Sequence, residues 1–276
     1  MNNRSYGKSN LIVEVVMILV ALIYLFPLYV LLNISLKPLD EVADAPLGLP
    51  KEFSLANYSE AWTKASLGSA LINSTVVMLI SVVLLIFIGS MAAYTLARRQ
   101  SRLSYGLYLL FLLGIILPFQ LALIPLYQLM RDLQLLGTYT SLIIFYTGHQ
   151  LPFTVFLYTG FLRALPRDYE DAAFIDGASH FQAFRKVVFP LLRPVTGTVV
   201  ILNAIFVWND FLTPLLYVGG TPLQTLPVAI YSFVGQYVSQ WGLVFAGLVI
   251  GITPILIVYF LLQRYIIRGF ASGLKG

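Results

Sequence analysis

Apolar residues in this chain run together in blocks instead of alternating with polar ones. Six blocks reach the length of about 20 residues that a helix needs to cross a bilayer core. They cover Leu11 to Ile34, Leu67 to Ala97, Tyr105 to Met130, Thr140 to Leu162, Leu191 to Val218, and Leu243 to Gln263. The pattern predicts an all-α polytopic membrane protein of about six transmembrane helices. The first block is too long for the apolar region of a signal peptide, and no A-x-A-like cleavage site follows it. The longest polar connection, Ser35 to Ser66, carries Pro38, Pro46 and Pro50. No repeat of 20 to 50 residues and no inverted duplication stands out, which weighs mildly against a self-contained secondary carrier.

Composition agrees with this reading. Of the 276 residues, 59% are hydrophobic and 11% charged, and mean hydropathy is +0.85, whereas soluble domains carry about 25% charged residues. There is no cysteine, which removes disulfides and thiol chemistry. The net charge of +5 speaks for topology, not nucleic acid, because of where it lies. Thirteen Lys and Arg fall on one side of the six blocks: Arg4, Lys8, Arg98, Arg99, Arg102, Arg163, Arg167, Arg185, Lys186, Arg193, Arg264, Arg268 and Lys275. Four fall on the other: Lys37, Lys51, Lys64 and Arg131. The positive-inside rule places the first group, and with it both termini, in the cytoplasm.

Between the fourth and fifth blocks lies a charged segment with the punctuation of two short helices. Asp168 stands in N-cap position with Asp171 three residues on, in capping-box spacing, and Gly177 ends the helix. Ser179 with Gln182 repeats the spacing, and the second helix is expected to run to Pro190. The product is an elbow with small residues at Ala172, Ala173, Gly177 and Ala178 for close approach, and Phe181 and Phe184 as anchors for a partner.

Asp171-Ala172-Ala173, Asp176-Gly177-Ala178, Phe184, Pro190 and Pro194 together resemble the EAA loop of permease subunits of binding-protein-dependent ABC importers, the carbohydrate-uptake group that includes the maltose permease. One departure is visible: Asp171, preceded by Glu170, stands where the family usually has Glu. The resemblance extends to Asn73-Ser74, to Ala93-Tyr94-Thr95-Leu96-Ala97-Arg98, to Leu117-Pro118-Phe119-Gln120 with Ile124-Pro125-Leu126-Tyr127, to Trp208-Asn209-Asp210-Phe211, and to the tail from Arg268 to Gly276. It implies a single permease domain over 1–276, with a core at 67–263, a coupling loop at 163–190 and a cytoplasmic tail at 268–276, in a bacterial or archaeal inner membrane. In that family the loop docks on an ATP-binding subunit, which carries over to Glu170, Asp171, Ala172, Ala173, Asp176, Gly177, Ala178, Phe181 and Phe184. The tail, Gly273, Leu274, Lys275 and Gly276, reaches between two such subunits. A second homologous permease and an extracytoplasmic solute-binding protein complete the set. The stretch from Gly219 to Trp241, with Gln224, Tyr231, Gln236, Tyr237 and Gln240, is the expected contact for the binding protein.

Polar residues within the apolar blocks mark where a solute could pass, since an unpaired polar group in hydrocarbon is costly. Gln120, Asn203, Trp208, Asn209 and Asp210 are the candidates for a sugar path, where hydrogen-bonding groups sit beside aromatic faces. Interhelical bonding is the competing role for Gln120, and interhelical bonding or capping for Asp210. Gly89 with Ala93, and Gly247 with Gly251, read as close-packing positions. His149 and His180 stand alone and, without Cys, make no metal site of familiar spacing. No G-x-x-x-x-G-K-[ST] segment is present, so ATP and magnesium are expected on partner subunits and no catalytic residue is assigned. The other class of function is a carrier or channel working alone.

Overall fold

The computed structural model describes residues 8–234 and 240–273. Helices make up most of these residues, and no strand is among them. In order they form α1 (Lys8–Ser35), α2 (Leu39–Asp44), α3 (Ala56–Lys64), α4 (Leu67–Arg98), α5 (Arg102–Ile116), α6 (Leu123–Asp132), α7 (Tyr139–Ala164), α8 (Asp168–Ile175), α9 (His180–Ala183), α10 (Phe189–Leu191), α11 (Arg193–Asn209), α12 (Leu212–Val218), α13 (Leu226–Tyr231) and α14 (Trp241–Gly273). The chain divides into two compact units, Met1–Gly68 with Ala229–Ile252, and Ser69–Val228 with Thr253–Gly276.

Among the described residues three segments, Leu11–Ser35, Leu67–Arg98 and Trp241–Phe260, are long and apolar enough to cross a membrane, and the number rises to five if each of two bent pairs counts once. The expected fourth block is α7, of 26 residues. It is too polar to join that group because Gly148, His149 and Gln150 interrupt its middle. It is instead the helix on which α5, α11 and α12 pack, with Tyr146, Val155, Tyr158 and Leu162 sealed from solvent. Polar groups are tolerated along such a helix where they face protein neighbours instead of lipid.

Two expected blocks are not single helices. The third breaks after Ile116 and bends by 91°. Pro118 lacks an N–H and forces Leu117 into extended backbone (φ −68°, ψ 123°), as a residue before proline prefers. A 3₁₀ turn at Phe119–Ala122 then leads into α6. The fifth begins at Arg193, after a 74° bend from the preceding helical run. It stops at Asn209 because Asp210 is extended and its Oδ1 accepts from the amides of Leu212 (3.1 Å) and Thr213 (3.5 Å), capping α12.

Within the second unit α4 and α7 approach closely. A Cβ on Gly89 would lie 2.5 Å from Thr154 Cγ2, and Ala93 beside it is fully buried, which is the small-residue packing the spacing of these two positions implies. Asn203, fully buried on α11, ties that helix to α7, its Nδ2 donating to Thr154 Oγ1 (3.2 Å) and, within α11, to Val199 O (2.8 Å). In the first unit the buried Lys37 ammonium replaces water with carbonyls, donating to Ala45 O and Gly48 O at 2.6 Å each, while Asn57 Nδ2 donates to Ser35 O and Lys37 O. Gly247 faces Ile230, with 3.1 Å between a built Cβ and Cγ1.

Candidate functional site

The elbow forms as its punctuation implies, with differences at its caps. α8 starts with Arg167 as N-cap and no side-chain cap bond. Asp168 is therefore the first helical residue, where with Glu170 and Asp171 it complements the positive end of the helix dipole. At the other end Gly177 has φ +78°. The Gly177 amide donates to Phe174 O (3.0 Å) and the Ala178 amide to Ala173 O (2.9 Å), a Schellman motif that takes up orphan carbonyls. Nothing lies within 4 Å of where a Gly177 Cβ would be, so the glycine serves the backbone angle and not space.

Ser179 and Gln182 make both bonds of a capping box, 2.8 Å and 3.3 Å, at the start of α9. The helix does not stop at Pro190. A π-helical stretch, Phe184–Val188, precedes the proline, and its wider turn accommodates the ring. The run continues to Leu191 and breaks at Leu192, with Pro194 in the first turn of α11. His180 sets its ring edge-on to Phe174 at 4.9 Å, bracing the two arms.

The docking candidates divide by exposure. Asp171, Ala172, Asp176, Gly177 and Phe181 are exposed, and Ala173 and Ala178 are half-buried. Phe184 faces inward, 5.1 Å from the Tyr94 ring and 5.9 Å from Phe189, within a core of Leu96, Val155, Tyr158, Leu162, Val188 and Leu192. Glu170 is 5% exposed. Its Oε1 accepts from Arg98 Nε (2.7 Å) and its Oε2 from Tyr94 Oη (2.9 Å). Arg98 also donates through Nη1 to Leu162 O (2.8 Å) and through Nη2 to Leu165 O (3.2 Å), at the carboxyl end of α7. One guanidinium thus joins α4, α7 and α8 by charge-assisted bonds in a nearly dry site. Tyr94, Arg98, Glu170, Asp171, Phe174 and His180 border a cleft of about 570 Å³.

The sequence pattern gave no warning of the Arg98 hub, because its partners lie 64 to 72 positions away. Ile175 was also missed. It is 86% exposed at the elbow tip, and its only signal is an isoleucine set next to Asp176 in a charged loop.

The path candidates do not form one cluster. Asn203 is taken up by one bond to α7 and one within α11, and Trp208 is buried. Gln120 and Asn209 are exposed, and Asn209 donates back to Ile205 O (2.8 Å). Asp210 Oδ2 accepts from Tyr146 Oη (3.1 Å), so this carboxylate is at once a cap and an interhelical acceptor. Nearby, His149 lies stacked between Phe145 (5.5 Å) and Phe206 (5.2 Å) with Phe119 edge-on (5.1 Å).

Of the binding-protein candidates, Gln224 sits on a loop pinned from α4. Asn73 Nδ2 donates to Pro222 O and Gln224 O at 3.0 Å, Asn73 Oδ1 accepts from Tyr139 Oη (2.6 Å), and Ser74 Oγ accepts from the Leu226 amide (2.8 Å). Tyr231 and Gln240 are exposed in the first unit. Gln236 and Tyr237, with Leu274, Lys275 and Gly276 of the tail, lie outside the described residues, and Gly273 closes α14.

Residues 85–272 match the family described as binding-protein-dependent transport system inner membrane component. The melibiose/raffinose/stachyose import permease protein MelC of Bacillus subtilis is 36% identical over 267 residues, 96% of each chain. A probable starch degradation products transport system permease protein, AmyC of Thermoanaerobacterium thermosulfurigenes, is 35% identical over 93% of each. The fold is also that of a solved chain from a bacterial ABC transporter involved in the import of the acidic polysaccharide alginate, with TM-score 0.82 over 96% of this chain and 99% of that one, at 23% identity.

Proposed function

Because the chain belongs to the family of binding-protein-dependent transport system inner membrane components, we propose that it is the permease subunit of an ABC importer that carries an oligosaccharide across the inner membrane. It is a transport component and not an enzyme. Relatives named for melibiose, raffinose and stachyose or for starch degradation products favour a short neutral glycan as cargo.

The observation that carries the coupling reading is the Arg98 hub. Force applied to an exposed elbow is useful only if the elbow cannot yield locally, and a buried ion pair with three carbonyl and hydroxyl partners makes α8 one body with the ends of α4 and α7. In this reading the Arg-rich helix ends and both termini face the cytoplasm, where two ATP-binding subunits hold ATP and magnesium. Asp171, Ala172, Ile175, Asp176 and Phe181 meet one of them. A second homologous permease completes the pore, and a loaded binding protein outside meets the segment from Gly219 to Trp241. Nucleotide-driven closure of the ATPases moves the elbow, and the helices tied to it rock the cavity from inward-facing to outward-facing.

Reconstitution tests this. Vesicles holding both permeases, the ATPase and the binding protein are expected to accumulate labelled oligosaccharide only with ATP. Uptake by vesicles holding this chain alone, without nucleotide, would favour a self-contained carrier and overturn the proposal.

A further inference from the structure

A second cleft, of about 800 Å³, opens where α4 ends, α5 begins and α7 ends. Five arginines line it, Arg98, Arg99, Arg102, Arg163 and Arg167, and no acidic side chain is among the lining residues. Arg98 is engaged by Glu170. Arg99, Arg102, Arg163 and Arg167 are exposed and have no ion-pair partner among the described residues. Arg163 lies over the Tyr108 ring at 4.4 Å, and Arg167 donates to Arg98 O at 3.3 Å, so two of these four are held in place. Four like charges converging on one cleft repel each other, and an anion between them relieves that repulsion.

We infer that this cleft holds the phosphate headgroup of an anionic membrane lipid. It lies at the end of α4, a helix long and apolar enough to cross a membrane, and in the topology proposed above that end meets the headgroup layer. From its mouth Leu103, Leu107 and Leu110, 73%, 42% and 63% exposed, run along one face of α5 at spacings of four and three residues. Tyr105, 62% exposed, borders the cleft as an aromatic at the interface. An apolar track leading away from a cationic cleft fits a molecule with acyl chains. A free phosphate would use the arginines and leave the track unused, and an acidic protein surface would need no leucine track, about two helical turns long, beside the charges.

The purified full-length chain in detergent, offered equimolar phosphatidylglycerol and phosphatidylcholine and read by native mass spectrometry, tests the inference. Phosphatidylglycerol is expected to be retained over phosphatidylcholine and to resist displacement by inorganic phosphate. Each arginine removed is expected to weaken retention about five-fold, so Arg99→Gln/Arg102→Gln loses roughly twenty-five-fold. The Arg99→Lys/Arg102→Lys variant should retain the lipid, which separates charge from folding. Arg131→Gln, on α6, should match the unaltered chain. Equal retention of the two lipids, displacement of phosphatidylglycerol by inorganic phosphate, or undiminished retention in the glutamine variant would each overturn the inference. So would a glutamine variant that keeps the lipid but no longer co-purifies with the ATPase, since the cleft would then belong to a protein partner.

Discussion

Arg98 Nε and Glu170 Oε1 meet at 2.7 Å, with side chains 13% and 6% exposed. This contact joins the end of a membrane-spanning helix to the first turn of the elbow. Removing one partner leaves a nearly buried charge without its counter-ion, and such losses cost about 3–5 kcal/mol. Arg98→Ala is therefore expected to lower unfolding stability by about that much. Arg98→Ala/Glu170→Ala should lose less than the sum of the single variants, as a double-variant cycle in detergent will read. Arg98→Lys should rescue only in part, because an ammonium cannot reproduce the fork that reaches Leu162 O and Leu165 O.

Gly177 is the second test. With φ +78°, any β-branched residue is strained by about 1–2 kcal/mol, and Gly177→Val should unmake the Schellman turn. Membrane insertion is expected to be unchanged while co-purification with the ATPase falls. Gly177→Asn, which tolerates this backbone region, should keep most of the association.

Ile175→Asp probes the elbow surface without touching the backbone. Because the side chain is 86% exposed, thermal unfolding of the isolated chain should not move. Pull-down of the ATPase should drop sharply. An unchanged pull-down would remove Ile175 from the docking surface.

Gly89→Ala tests the packing of α4 on α7. The new methyl would lie 2.5 Å from Thr154 Cγ2, an overpacking expected to cost about 1–3 kcal/mol. Adding Thr154→Ser should recover most of the loss, because it deletes Cγ2 and keeps the hydroxyl that accepts from Asn203. Thermal unfolding of the two variants reads the difference.

Asn73→Ala is expected to loosen the loop before α13. Three hydrogen bonds disappear, leaving buried groups unmet at about 1–3 kcal/mol. Faster amide exchange over residues 223–226 is the readout, with weaker stimulation of the ATPase by the binding protein as the functional consequence.

The long apolar blocks, the lopsided Lys and Arg, the glycine at the elbow and the Ser179–Gln182 box were all readable in the chain, because each is a local property: hydropathy sums over neighbours, and caps act across three residues. Motif order was enough for the family, which the match over residues 85–272 supports. The bends at Pro118 and Asp210 were half-readable. Pro118 announces a break in any context, whereas Asp210 could have capped or crossed between helices and does both.

What tertiary structure alone decided is the direction in which side chains face. Glu170 and Asp171 are adjacent acids with the same local signals, yet one is buried against Arg98 and the other exposed. Phe181 and Phe184 differ in the same way, one out and one in. Likewise α7, the least apolar of the expected crossings, became the helix on which α5, α11 and α12 pack. Each outcome depends on residues dozens of positions away, and contact energies between such distant partners leave no periodic trace along the chain.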